Sequence, residues 1–170
     1  MSKTNQLREF EIGLGMLMIA KHPAVLSISG IGSCVALAMR ANKAGTSGLA
    51  HIVLPASNGA EDMYLMPGRY ADSAVRALAR GLVASGEELN NISAKLAGGA
   101  RVLTAVGFDG YKNVESTRSE LTKTGIRIVA EDVGLTYGRS VKFDTSTGKI
   151  TVRRYQQIGG IAEFKDEITI

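Results

Sequence analysis

The stretch Ser29-Gly30-Ile31-Gly32-Ser33-Cys34-Val35-Ala36-Leu37 leaves the chain few ways to fold. Two glycines at alternating positions and a serine run straight into an apolar segment, Val35 to Met39, which reads as a buried strand. Small residues ahead of a strand let the backbone turn tightly and leave its amides exposed. Ala41-Asn42-Lys43-Ala44-Gly45-Thr46-Ser47 then has hairpin-loop chemistry, and Gly48 to Leu54 reads as the returning strand. Cys34 opens the first strand, and His51 lies in the second half of its partner. The two are cross-strand or diagonal neighbours if both point to the same face.

Cys34 is the only cysteine, and His51 is one of two histidines. A thiol at this point sits beside backbone amides able to hold an oxyanion, with Gly32 and Ser33 as the candidates. A cysteine nucleophile needs a base such as His51. The residues alone leave a second reading open: a small buried hydrophobe at Cys34 and a hydrogen-bonded core histidine at His51. No other combination supplies both a nucleophile and a base. There is no CxxC, HExxH or His/Asp cluster at metal-ligand spacing, so no metal site is expected. No GxSxG appears. Gly13-Leu14-Gly15 lacks the third glycine and the preceding strand of a dinucleotide fingerprint. Gly98-Gly99 reads as a bulge or turn, His22 as a surface histidine, and Asp132 with Arg139 as a structural ion pair.

A chain of 170 residues, 45% hydrophobic and 21% charged, predicts one globular domain over 1–170. The net charge of +4 is spread along the chain without a basic block, so no nucleic-acid partner is expected. A lone cysteine fits a reducing compartment, and the apolar stretch Leu14–Ala20 is too short to span or insert into a bilayer. Both point to the cytoplasm.

Residues 1–5 read as frayed, and Phe10 to Ala20, with Met16, Leu17, Met18 and Ile19, as core. Strands are expected at Val25–Ser29, Ser33–Arg40, Gly48–Leu54, Ser93–Ala100 and Ile126–Asp132. A hairpin is expected from Ser140–Phe143 and Ile150–Arg153, with an edge strand at Ile168–Ile170. Ala71, Ala74, Val75, Leu78 and Leu82 recur at helical spacing, with Gly86 as the stop. Arg101 to Gly110 reads as irregular. A second helix is expected to start at the cap candidate Asn113 and to end before Gly125, with Val114, Thr117 and Leu121 inward. The fold class is α/β (α+β): layered mixed sheets flanked by two or more helices.

Gly30-Ile31-Gly32-Ser33-Cys34-Val35 resembles the nucleophile motif of the CheD family of chemoreceptor glutamine deamidases, and Ala50-His51-Ile52-Val53-Leu54-Pro55 resembles its histidine motif. Tyr70-Ala71-Asp72, Ala94-Lys95-Leu96-Ala97-Gly98-Gly99-Ala100, Lys112-Asn113-Val114, Ala130-Glu131-Asp132 and Arg139-Ser140-Val141 follow in that family's order. The resemblance covers nearly the whole chain. It implies a cytoplasmic single domain of layered sheets flanked by helices. It also implies a protein-glutamine glutaminase that uses Cys34 and His51 and no cofactor. The implied substrate is a glutamine side chain on the cytoplasmic helices of methyl-accepting chemotaxis receptors, and the implied partner is the phosphatase CheC. The family carries a threonine six positions before the cysteine that orients the histidine. Ile28 stands there, flanked by Ser27 and Ser29 as candidate orienters. The second departure is Asp132-Val133-Gly134-Leu135, where the family often has paired glycines after the acid. The alternative reading is a regulatory module that docks on receptors or CheC with little catalysis.

Overall fold

A computed structural model describes residues 7–101 and 109–170. The frayed start and most of the irregular segment expected at Arg101–Gly110 lie outside the described residues. Among the described residues, ten strands form two mixed sheets. The first holds β1 (Arg8–Glu11), β3 (Ala24–Ile31), β8 (Gly138–Asp144), β9 (Ile150–Ile158) and β10 (Ile161–Thr169), in the order β1-β3-β8-β9-β10. The second holds β2 (Leu17–Lys21), β4 (Val35–Ala41), β5 (Thr46–Ile52), β6 (Ile92–Gly98) and β7 (Arg127–Val133), in the order β2-β5-β4-β6-β7. The β1–β3 and β6–β7 pairs are parallel, and the remaining pairs are antiparallel.

The layers follow from strand β4. Val35, Leu37 and Met39 pack with one core, together with α1 (Ala71–Ala84) and α2 (Gly110–Thr124). Ala36 and Ala38 alternate to the other face and join a core shared with Leu26, Ile28, Val141, Phe143 and Val152 of the first sheet. A strand buried on both faces reads as an unbroken apolar run, which is why Val35–Met39 shows no alternation. Helix α1 contributes Leu78 and Leu82, both fully buried, at about 1.5–3 kcal/mol each. No helix among the described residues is long and apolar enough to cross a membrane.

Several expected boundaries shift. Cys34 stands one residue ahead of β4 rather than inside it. Phe10–Ala20 divides into β1 and β2, which lie in different sheets. Met16 is 43% exposed and Met18 only half-buried, so this cluster is core only in part. Helix α2 starts at Gly110, because Asp109 is the cap: its side chain accepts from the amides of Tyr111 and Lys112. Asn113 is therefore inside the helix and buried. Gly125, at φ +74, closes α2 in the left-handed conformation expected of it. The C-terminal edge strand is longer than Ile168–Ile170, since Gly159-Gly160 turns β9 back into β10 along most of its length.

Candidate active site

Strands β4 and β5 pair Val35 with Ile52 and Ala36 with His51. Cys34 lies two residues before Ala36, so it shares Ala36's face and sits diagonal to His51. Cys34, Ala36 and Leu49 all belong to the core between the two sheets. Diagonal neighbours in a regular ladder stand about 7–8 Å apart. No hydrogen bond joins the two groups, and neither His51 ring nitrogen has a side-chain partner among the described residues. His51 is 3% exposed and Cys34 is 8% exposed, so both residues are buried.

The chain around the thiol is held by its carbonyls. Ala100 donates its amide to the Gly32 carbonyl at 2.9 Å, and Gly99 donates to the Cys34 carbonyl at 2.7 Å. The Asn113 Nδ2 donates to the Ser33 carbonyl at 2.9 Å. Three successive carbonyls thus have three separate donors. Among the described residues the amides of Gly32, Ser33 and Cys34 donate to no backbone acceptor. His51 is fixed from the other side: its amide donates to the Met16 carbonyl at 3.0 Å, and its carbonyl accepts from the Gly15 amide at 3.1 Å.

Burial sets the protonation of both groups. It pushes the Cys34 thiol up, opposed by the residue's own backbone amide. It pushes the His51 imidazole down, opposed by the Ile12 backbone. The resting pair is therefore a neutral thiol beside a neutral imidazole.

Neither candidate orienter reaches the ring. Ser27 is buried and donates its hydroxyl to the Phe10 carbonyl at 3.4 Å, while Ser29 is exposed. Ile28, fully buried, lies in the same inter-sheet core as Cys34. The pair expected of Asp132 and Arg139 is present, with Nε to Oδ2 at 2.8 Å, and Arg154 joins it. His22 is half-buried and shares a 3.0 Å hydrogen bond with the Ser47 hydroxyl. Sequence reasoning missed Asn113, which it read as a cap. Asp109, four residues earlier and at least as good a capping residue, was the available signal. Among the described residues no cluster of three His, Cys, Asp or Glu side chains is arranged to hold a metal ion.

The class is an α+β protein of two layered sheets, with its one cysteine and a buried histidine on one face at the end of a central hairpin. The model of the family described as CheD, chemotactic sensory transduction, matches residues 53–154, beginning two residues after His51. The chemoreceptor glutamine deamidase CheD of Thermotoga maritima is 40% identical over 150 residues, covering 88% of this chain and 92% of its own. Probable chemoreceptor glutamine deamidases CheD of Symbiobacterium thermophilum and Thermococcus kodakarensis are 40% and 37% identical, over 83% and 86% of this chain and 89% and 92% of theirs. The chain belongs to the CheD family. Among solved structures, a Bacillus licheniformis hypothetical protein, YfiH, aligns over 67% of this chain and 50% of its own, at a TM-score of 0.40 and 12% identity. That likeness is too loose to bear on the fold.

Proposed function

We propose that this protein hydrolyses the side-chain amide of glutamines on chemotaxis receptors, giving glutamate and ammonia, with Cys34 as nucleophile and His51 as base. The reading is supported by relatives named chemoreceptor glutamine deamidases that align over most of their length. The observation that carries it is the diagonal placement of Cys34 and His51 on one face. As sulfur attacks the carboxamide carbon, its proton passes to His51. The developing oxyanion is held by amides of the Gly32–Cys34 segment. His51 returns the proton to nitrogen, the C–N bond breaks, and ammonia leaves a thioester behind. Water then gives a proton to the same imidazole and adds to the thioester. The thiolate departs and takes that proton back, and glutamate is released. The new carboxylate adds a negative charge to a receptor helix. The reaction takes place in the cytoplasm, where receptor helices and a regulator such as CheC are within reach.

The test is ammonia release, with Gln-to-Glu conversion followed by mass spectrometry of a receptor fragment. Cys34→Ala is expected to lower turnover about 10³-fold or more while binding the fragment as before. His51→Ala is expected to lower it by about 10²–10⁴-fold. Turnover retained by Cys34→Ala sinks the scheme. A second reading, a docking module on receptors or CheC with little catalysis, is favoured by one observation: no side chain among the described residues orients His51, which has only the Ile12 backbone to favour its charged form. A thiol-reactive amide probe separates the two, since a docking module's Cys34 stays inert.

A further inference from the structure

Beyond Val35–Ile52 the ladder between β4 and β5 stops. One step further, the register sets Val53 opposite Cys34. Here the Ser33 and Val53 carbonyls receive no backbone amide among the described residues. Asn113 bridges them: its Nδ2 donates to the Ser33 carbonyl at 2.9 Å and to the Val53 carbonyl at 3.0 Å. The amide orientation follows from the partners, since the flipped form would set Oδ1 against two carbonyl oxygens. Ser33 immediately precedes Cys34, and Val53 follows His51 by two residues.

Asn113 is itself held firmly. It is 1% exposed, its amide donates to the Asp109 carbonyl, and its carbonyl accepts the buried Thr117 hydroxyl at 2.7 Å. Gly110, at the start of the same helix, lies hard against Gly99 and Ala100, the residues that hold the Cys34 and Gly32 carbonyls. We propose that Asn113 is a positioning residue, a two-pronged brace from α2 that sets the spacing between the strand end bearing Cys34 and the strand end bearing His51. The proposal rests on the reading of those two residues as the reacting pair. It assigns to Asn113 the distance across which the proton must travel.

The experiment compares the wild type with Asn113→Ala, His51→Ala and Leu121→Ala. Leu121→Ala opens a cavity on the buried face of the same helix, about two turns from Asn113. Each is measured for kcat and KM on a receptor fragment, for the rate of Cys34 alkylation by iodoacetamide against pH, and for thermal midpoint. Asn113→Ala is expected to lower kcat about 10- to 100-fold, the order of loss that a 1 Å misplacement of reacting groups produces. KM should stay within about twofold, and the alkylation profile should lose the His51-dependent inflection, as in His51→Ala. If Asn113→Ala instead keeps the wild-type profile and loses activity only in step with its melting temperature, as Leu121→Ala does, the brace is merely structural and the proposal is overturned. If the wild type shows no inflection that His51→Ala removes, the Cys34–His51 reading fails and carries the proposal with it. Should Asn113→Ala not fold, Asn113→Ser is read by the same criteria.

Discussion

His51 is an imidazole already biased toward the form a base requires, because burial lowers its pKa below the ordinary 6.5. The sign of the pH effect follows. Above 6.5 the ring is neutral in folded and unfolded chains alike. Below 6.5 the unfolded chain takes up a proton that the folded one resists, so stability declines on acidification. Catalysis should hold to a lower pH still, since the folded ring stays neutral there. A pH profile of ammonia release is expected to be flat from 8 down to 6.5, with its acid limb below 6.5. A limb centred above 6.5 contradicts the assignment of His51 as base. Cys34 and His51 were legible in the sequence because rare residue types beside glycines stand out. Asn113 was not, because its partners are the main-chain carbonyls of Ser33 and Val53, and no residue letter reports where a carbonyl points.

The end of β6 shows what a strand terminus contributes to the site. Gly98 has φ +115, and a Cβ there would stand 2.3 Å from the Cys34 carbonyl oxygen and 2.6 Å from an Ile31 methyl. Gly98→Ala is therefore expected to cost more than the roughly 1–2 kcal/mol of the left-handed backbone alone, and to displace the Cys34 segment. Gly30→Ala, at φ +69 with nothing within 4 Å, should cost only that backbone penalty and leave activity near wild type. Urea unfolding and ammonia release on the two variants check the contrast. Equal losses in both would refute the close-approach argument. The two helices and the β8–β9 hairpin were readable from periodicity and turn chemistry. The division of Phe10–Ala20 between two sheets was not, since a short apolar run looks alike wherever it pairs.

Across the molecule, the two sheets are pinned by charge as well as by hydrocarbon. Asp132 of β7 accepts from Arg139 of β8 at 2.8 Å and from Arg154 of β9 at 3.1 and 2.6 Å. Burial draws the Asp132 carboxyl upward, but the hydrogen bonds from Arg154 and Arg139 outweigh it and hold it below the ordinary value of 3.8. The stability it contributes is thus complete above that value and is lost as pH falls through the lower folded one. Asp132→Asn leaves the fully buried Arg139 guanidinium without its countercharge. It is expected to cost about 3–5 kcal/mol in urea unfolding at neutral pH. A loss below about 1 kcal/mol, the worth of a surface pair, would show that the pin is not bearing on stability.

The sequence by itself determined both helices, the strands from β3 onward, the hairpin carrying Cys34 and His51, and the pairing of Asp132 with Arg139. Each of these is written in local periodicity, turn residues or charge. Only the tertiary structure decided which sheet each strand joins, that burial leaves the thiol and imidazole neutral at rest, and that α2 braces the two strand ends through Asn113. Those outcomes depend on desolvation and on contacts between segments up to 121 residues apart, which come into being only when the layers close.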